Sequence, residues 1–421
     1  MRQVRNRVAG GMLAAAGAAL TLASCELLSG PGGEVEPPLE ALPRELGNAE
    51  RAVIDASNAF AFDILRETVA REDGLDVMLS PISASMALGM TMNGARGPTF
   101  AGMRDALGFA ALDQQEINAS YRDLIDMLLR LDDYIDMRIA NSVWARTGYP
   151  FHDAFIETVR HSFGAEATTL DFADAKAAPT INEWVDRSTS GRIADIVRAP
   201  IPNDVVMYLI NAIYFKGDWR EPFERSRTHD AQFTRADGTT KTVRMMARGG
   251  GFHYYADAGV EVAELRYGRG AFVMDIVLPA AGRSIDDVIA TLDEARWTSW
   301  LDGLRESNVH LRLPKFRLEY ETTMNDPLIA LGMESAFGLT GDTDFTGLSP
   351  RGEELAITDV KQKTFINVDE EGTEAAAVTS VEVSVVSMPP TMIVDRPFLV
   401  AIRERFSGTI LFIGRVGDPA T

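Results

Sequence analysis

The chain has 421 residues, 46% of them hydrophobic and 24% charged, an ordinary globular composition that argues against a collagen-like, coiled-coil or wholly disordered chain. Its formal charge of −20 repels nucleic acid and anionic membrane surfaces, and no basic run offsets it locally. A single cysteine, Cys25, excludes an intramolecular disulfide. The histidines, His152, His161, His229, His253 and His310, are scattered. No Cys-x-x-Cys, His-Glu-x-x-His, phosphate-cradling glycine loop or Gly-x-Ser-x-Gly elbow occurs, so nothing local points to a metal, a cofactor or a hydrolase nucleophile. A catalytic site assembled from distant residues stays open on motifs alone.

Arg2, Arg5 and Arg7 precede an apolar, acid-free run from Met12 to Ala23. This is the layout of a secretory signal whose hydrophobic part is short for a membrane span. The run ends in Leu22-Ala23-Ser24-Cys25, which resembles the bacterial lipobox. That resemblance implies export, removal of residues 1–24 and acylation of Cys25, which would anchor the protein to a bacterial membrane at its periplasmic face or at the cell surface. The plainer alternative is an ordinary cleaved signal with Cys25 as a bystander. Two or three acyl chains suffice for stable anchoring, each buried methylene contributing about 0.8 kcal/mol. Residues 26–47, rich in Gly, Pro, Glu and Leu without a helical period, read as a tether. The length fits two or three average domains or one large one. Because residues 48–421 contain no second linker and no repeat, they read as one body.

Val53, Ala56, Phe60, Ile64 and Leu65 recur at helical spacing, which predicts an amphipathic helix over about 49–70. Ser80-Pro81 reads as a helix start, serine as cap and proline at the first helical position. The helix that follows, 82–93, is apolar on most faces and therefore buried. Further helices are predicted near 100–107, 113–131, 152–162 and 178–190. Strands follow near 135–144, 205–214, 260–265, 272–278, 308–313, 365–368, 398–404 and 410–416. Helices crowd the first half and strands the second, which argues an α+β fold rather than alternating βαβ units.

Residues 370–390 do not fit that picture. Split by strand period, one face is Thr373, Ala375, Ala377, Thr379, Val381, Val383 and Val385. Both glutamates between Thr373 and Val386, Glu374 and Glu382, fall on the other. An uncharged face, small at its start and β-branched toward its end, suits a half-buried strand. Yet the run has no clear partner nearby in sequence, and Pro389-Pro390 ends it. It reads either as an edge strand or surface loop, or as a loop exposed first and inserted as a strand later.

At this point the chain resembles the serpin family, through nearly the whole body. Val368-Asp369-Glu370-Glu371-Gly372-Thr373-Glu374-Ala375-Ala376-Ala377 resembles the hinge of inhibitory members. Asn182-Glu183-Trp184-Val185, Leu209 to Trp219 with Pro222-Phe223, and Leu313-Pro314-Lys315-Phe316 resemble further family blocks. So do Asp344 to Ser349, Arg396-Pro397-Phe398-Leu399 and Gly408 to Val416. The resemblance implies a serpin fold of three β-sheets with about nine helices and an exposed reactive-centre loop. It implies no enzymatic activity and no cofactor. It also implies a monomer that traps a serine or cysteine protease in a covalent 1:1 complex, the cut loop inserting into the central sheet.

Carried over by resemblance, Glu370, Glu371, Gly372, Thr373, Glu374, Ala375, Ala376 and Ala377 form the hinge. Thr373, Ala375 and Ala377 face the core after insertion. Counting forward from Glu370 and back from Pro397-Phe398 puts the scissile bond at Val386–Ser387. Valine before the cut suits an elastase-like protease with a small apolar pocket. Ser80, Ser83 and Asn211 match positions where strands must part, and Gln362 stands where the family often has histidine. Lys315 matches the partner of Glu370, beside Trp219. The competing reading is a non-inhibitory serpin, a chaperone, carrier or surface structural protein. It would be favoured by bulky, charged or proline residues on the inserting face of the hinge, which has none.

Overall fold

The computed structural model describes residues 36–373 and 389–420. The expected signal segment, Cys25, Glu374 to Ala377 and the expected Val386–Ser387 scissile bond lie outside the described residues.

Nine α-helices occur among the described residues. They are α1 (Asn48–Val69), α2 (Pro81–Met92), α3 (Gly97–Ala106), α4 (Gln114–Arg130), α5 (Asp153–Phe163) and α6 (Ala177–Ser188), then α7 (Ile285–Ile289), α8 (Glu294–Gly303) and α9 (Asn325–Leu328). The strands begin with β1 (Val77–Leu79), β2 (Ile135–Arg146), β3 (Glu166–Leu170), β4 (Met207–Asp218), β5 (His229–Thr234), β6 (Thr240–Ala256), β7 (Val260–Arg266) and β8 (Phe272–Pro279). They continue with β9 (Arg305–Pro314), β10 (Phe316–Thr323), β11 (Lys361–Val368), β12 (Gly372–Thr373), β13 (Thr391–Ile393), β14 (Phe398–Glu404) and β15 (Ile410–Val416).

Local chemistry explains the helices. In α4 the Asp113 carboxylate accepts from the Glu116 amide while the Glu116 carboxylate accepts from the Asp113 amide, a reciprocal cap. Ile117, Tyr121, Leu124 and Leu128 then return to one buried face. Every residue of α2 except Ala87 is buried, as its all-round apolar sequence requires. Ser80 corrects one expectation. Its hydroxyl does not cap α2; it donates to the Leu411 carbonyl on β15 at 2.8 Å, because that tertiary partner is buried beside it.

A nine-stranded sheet runs β1-β15-β14-β8-β7-β6-β9-β13, with β5 also on β6. Two of the three expected sheets are joined in it, because the 17-residue strand β6 pairs with β5 from Thr240 to Met245, with β9 from Met245 to Tyr254 and with β7 from His253 to Ala256. A six-stranded sheet runs β10-β11-β12-β4-β2-β3. β4 is bound to β2 from Met207 to Gly217, and β11 to β10 along its whole length. Between β4 and β11, among the described residues, lies only the two-residue strand β12.

The expected tether ends earlier than residue 47. The Leu39 amide donates to the Arg269 carbonyl at 2.8 Å, and Arg405 donates to the Leu39 carbonyl at 2.9 Å. Leu39, Leu42 and Leu46 pack on the core. Among the described residues no helix is long and apolar enough to cross a membrane.

Candidate functional site

The chain leaves β11 at Val368 and turns sharply. The Asp369 amide donates to the Gly372 carbonyl at 3.0 Å, and the Asp369 carboxylate accepts from the Glu371 amide at 2.9 Å. The next two carbonyls are captured by the end of β4 and the segment after it. Phe223 donates to the Glu370 carbonyl at 2.8 Å and Trp219 to the Glu371 carbonyl at 2.7 Å. The Trp219 indole N–H donates to the Asp369 carbonyl at 2.9 Å. A backbone turn with three successive carbonyls engaged in this way is firmly held.

The acidic side chains here are buried, so they need partners. The Glu370 carboxylate accepts from Lys315 Nζ at 2.7 Å and from the Thr228 hydroxyl at 2.8 Å. Burial works to raise its pKa, but the ammonium and the hydroxyl outweigh burial and hold it below the ordinary carboxylate range. Glu371 pairs with Arg225. Asp218, opposite Gly372, is pushed the other way by burial and by the nearby charges of Glu371 and Asp369, against the pull of Lys216.

β12 then enters the sheet. Gly372 pairs with Asp218 and Thr373 with both Gly217 and Val368. Glycine is required at 372, since a Cβ there would lie 2.2 Å from the Gly217 carbonyl oxygen and 2.7 Å from Asp218 Cα. Thr373 is buried, and its Oγ1 lies 2.8 Å from the Tyr267 hydroxyl. Tyr267 stacks on Trp219 with ring centroids 4.3 Å apart. The start of the hinge is thus already a strand between β4 and β11. Glycine at 372 and a small polar residue at 373 are what make that entry sterically open.

Below β12 the facing edges of β4 and β11 enclose a cavity of about 400 Å³, floored by α2 and lined by Ile193, Val205, Leu209, Leu355 and Gln362 among others. The polar residues predicted to matter where strands part meet here. The Gln362 side chain accepts from the Ser80 amide at 2.9 Å and donates to the Ser80 carbonyl at 2.8 Å. Ser83 donates weakly to the Asn211 carbonyl at 3.5 Å. The Asn211 side chain donates to Asn141 at 2.6 Å, while its own Oδ1 is buried without a partner among the described residues. Two clusters therefore stand along one line between β4 and β11: Glu370, Lys315, Trp219 and Thr373 at the top, Ser80, Ser83, Asn211 and Gln362 beneath. Sequence reasoning missed Arg225, Thr228 and Tyr267, whose neighbours in sequence carry no sign of the hinge.

A family model described as serpin (serine protease inhibitor) matches residues 55–419. This chain belongs to the serpin family. It is 35% identical over 377 residues to an uncharacterized serpin-like protein of Thermococcus kodakarensis, covering 88% of this chain and 86% of the relative. It is 34% identical to the leukocyte elastase inhibitor of Sus scrofa, covering 86% of this chain and 98% of that protein. Among solved structures it is similar to the thermophilic serpin tengpin in the native state, at a TM-score of 0.79 and 30% identity, covering 90% of this chain and 96% of that one. It is also similar to human thyroxine-binding globulin, solved as a complex with the hormone, at a TM-score of 0.80 and 27% identity, covering 89% and 100%. The serpin fold expected from the sequence is the fold of this chain.

Proposed function

We propose that this serpin inhibits an elastase-like serine protease as a suicide substrate, the cut loop inserting between β4 and β11. The observation that carries the reading is the seam between β4 and β11. Among the described residues the two strands are unpaired with each other below Thr373 and face a cavity of about 400 Å³. A strand entering there would close two exposed ladder edges and bury its uncharged face, at about 25 cal/mol per Å² of apolar area. The sequence that follows Thr373 supplies such a strand, small at Ala375 and Ala377 and β-branched from Thr379 onward.

The protease class rests on Val386 before the scissile bond and on the absence of Lys or Arg between Glu370 and Met392. A relative named for inhibiting leukocyte elastase supports the same class. In this reading the protein is exported and held at a bacterial membrane through acylated Cys25. It meets its protease as a monomer, without cofactor or nucleic acid. Globomycin-sensitive processing with radiolabelled palmitate tests the anchor: label on the wild type and none on Cys25→Ala supports it, and label on neither removes it. The inhibitory claim is tested by titrating elastase with the protein. Loss of elastase activity with a stable complex supports it, and cleavage of the protein with full elastase activity excludes it.

A further inference from the structure

We propose that Tyr267 is a positioning residue for the reactive loop: its buried hydroxyl selects and holds Thr373 as the first inserted residue of the strand. Tyr267 sits at the tight turn joining β7 to β8. Its own backbone is fixed there, the Tyr267 amide donating to Phe272 at 2.9 Å and the Tyr267 carbonyl accepting from Gly270 at 2.6 Å. The neighbouring Gly268 amide donates to Asp218 on β4 at 2.9 Å. The ring is clamped between Trp219, stacked at 4.3 Å, and Phe215, edge-on at 5.1 Å. The hydroxyl therefore cannot swing to another place, and the ring has no exposed surface at all.

Among the described residues that hydroxyl has one hydrogen-bond partner, Thr373 Oγ1 at 2.8 Å. A buried hydroxyl loses free energy when its partner leaves. An apolar residue at 373 would leave it unpaired, and a charged one would be buried against an aromatic ring with no counter-ion. Withdrawal of Thr373 likewise breaks the bond, so the tyrosine stabilises the docked hinge over the released one. The consequence for function rests on the inhibitory reading: insertion must outrun hydrolysis of the acyl-enzyme, and a hinge already seated has less distance to travel.

Hydrogen exchange at the Trp219 and Phe223 amides tests this without a protease, because those amides donate to the hinge carbonyls of Glu371 and Glu370. Tyr267→Phe and Thr373→Val should each speed their exchange about tenfold. The double variant should return toward the wild-type rate, since an apolar pair leaves neither partner orphaned. Thr373→Ser, which keeps the hydroxyl, should exchange as wild type. Unchanged exchange in Tyr267→Phe, or a double variant as fast as the product of the two singles, would overturn the assignment. A second arm measures how much inhibitor is consumed per elastase inactivated, which should rise in Tyr267→Phe and recover in the double variant. Failure of the wild type to inactivate any protease would remove the inhibitory reading, while the exchange arm would still decide the role of Tyr267.

Discussion

The Gln362 carboxamide closes both backbone groups of Ser80, accepting from its N–H at 2.9 Å and donating to its carbonyl at 2.8 Å, across 282 positions of sequence. One side chain thereby fastens the inner face of β11 to the start of α2. Removing it leaves the buried Ser80 N–H unpaired, while the Ser80 carbonyl keeps the Ala84 amide at 3.2 Å. Gln362→Ala is expected to lower unfolding stability by about 1–3 kcal/mol, from the cost of one orphaned buried donor. Urea denaturation measures it; an unchanged midpoint would mean that the contact contributes nothing.

The Lys315–Glu370 pair predicts a pH dependence. Glu370 has a depressed pKa in the folded state. Its contribution is present above the ordinary glutamate value of about 4.3 and is lost as pH falls through the lower folded value. Thermal unfolding of the wild type should therefore show stability falling on acidification in that window. Lys315→Met should flatten this part of the profile. It should also cost about 1–3 kcal/mol at neutral pH, since a buried carboxylate would lose its counter-ion and keep the Thr228 hydroxyl and its own amide, and the lysine is partly exposed.

Gly372→Val should expel the hinge, because the new Cβ meets backbone atoms that cannot move aside. Thr373→Arg should do the same by forcing a charge into the sheet's core face. Both variants should be cut by an elastase-type protease as substrates without trapping it. Retained trapping by either would show that residues 372 and 373 need not enter the sheet.

Cleavage within residues 374–388 should raise the melting temperature substantially, because the new strand fills the seam between β4 and β11. Differential scanning calorimetry before and after limited proteolysis reads this directly. An unchanged melting temperature would mean that the cut loop stays outside.

Much of this was legible in the sequence, for identifiable reasons. α1 and α4 carry apolar residues at helical spacing and α2 is apolar on nearly every face, and tertiary contacts agree with both patterns. β6 was not predicted, because the run Gly249-Gly250-Gly251 at its centre breaks the strand pattern. There β9 supplies the pairing, Gly249 lying opposite His310, whose ring would meet a Cβ at 2.8 Å. Leu39, Leu42 and Leu46 lie among Pro37, Pro38 and Pro43, which break any helix there, so nothing in their order announced that they dock on the body.

The site divides in the same way. Glu370 and Lys315 lie together as the resemblance implied, at 2.7 Å. That Gly372 and Thr373 already sit between β4 and β11 could not be read in advance, since a strand-like run has the same alternation inside a sheet or outside it. Tyr267 was invisible for a related reason: its role comes from a contact 106 positions away.

The central claim is most directly tested by incubating the full-length protein with an elastase-type serine protease and resolving the products in SDS. The account predicts a covalent 1:1 complex that survives the detergent, with a small C-terminal fragment beginning at Ser387 by mass. Only cleaved inhibitor beside fully active protease would contradict it.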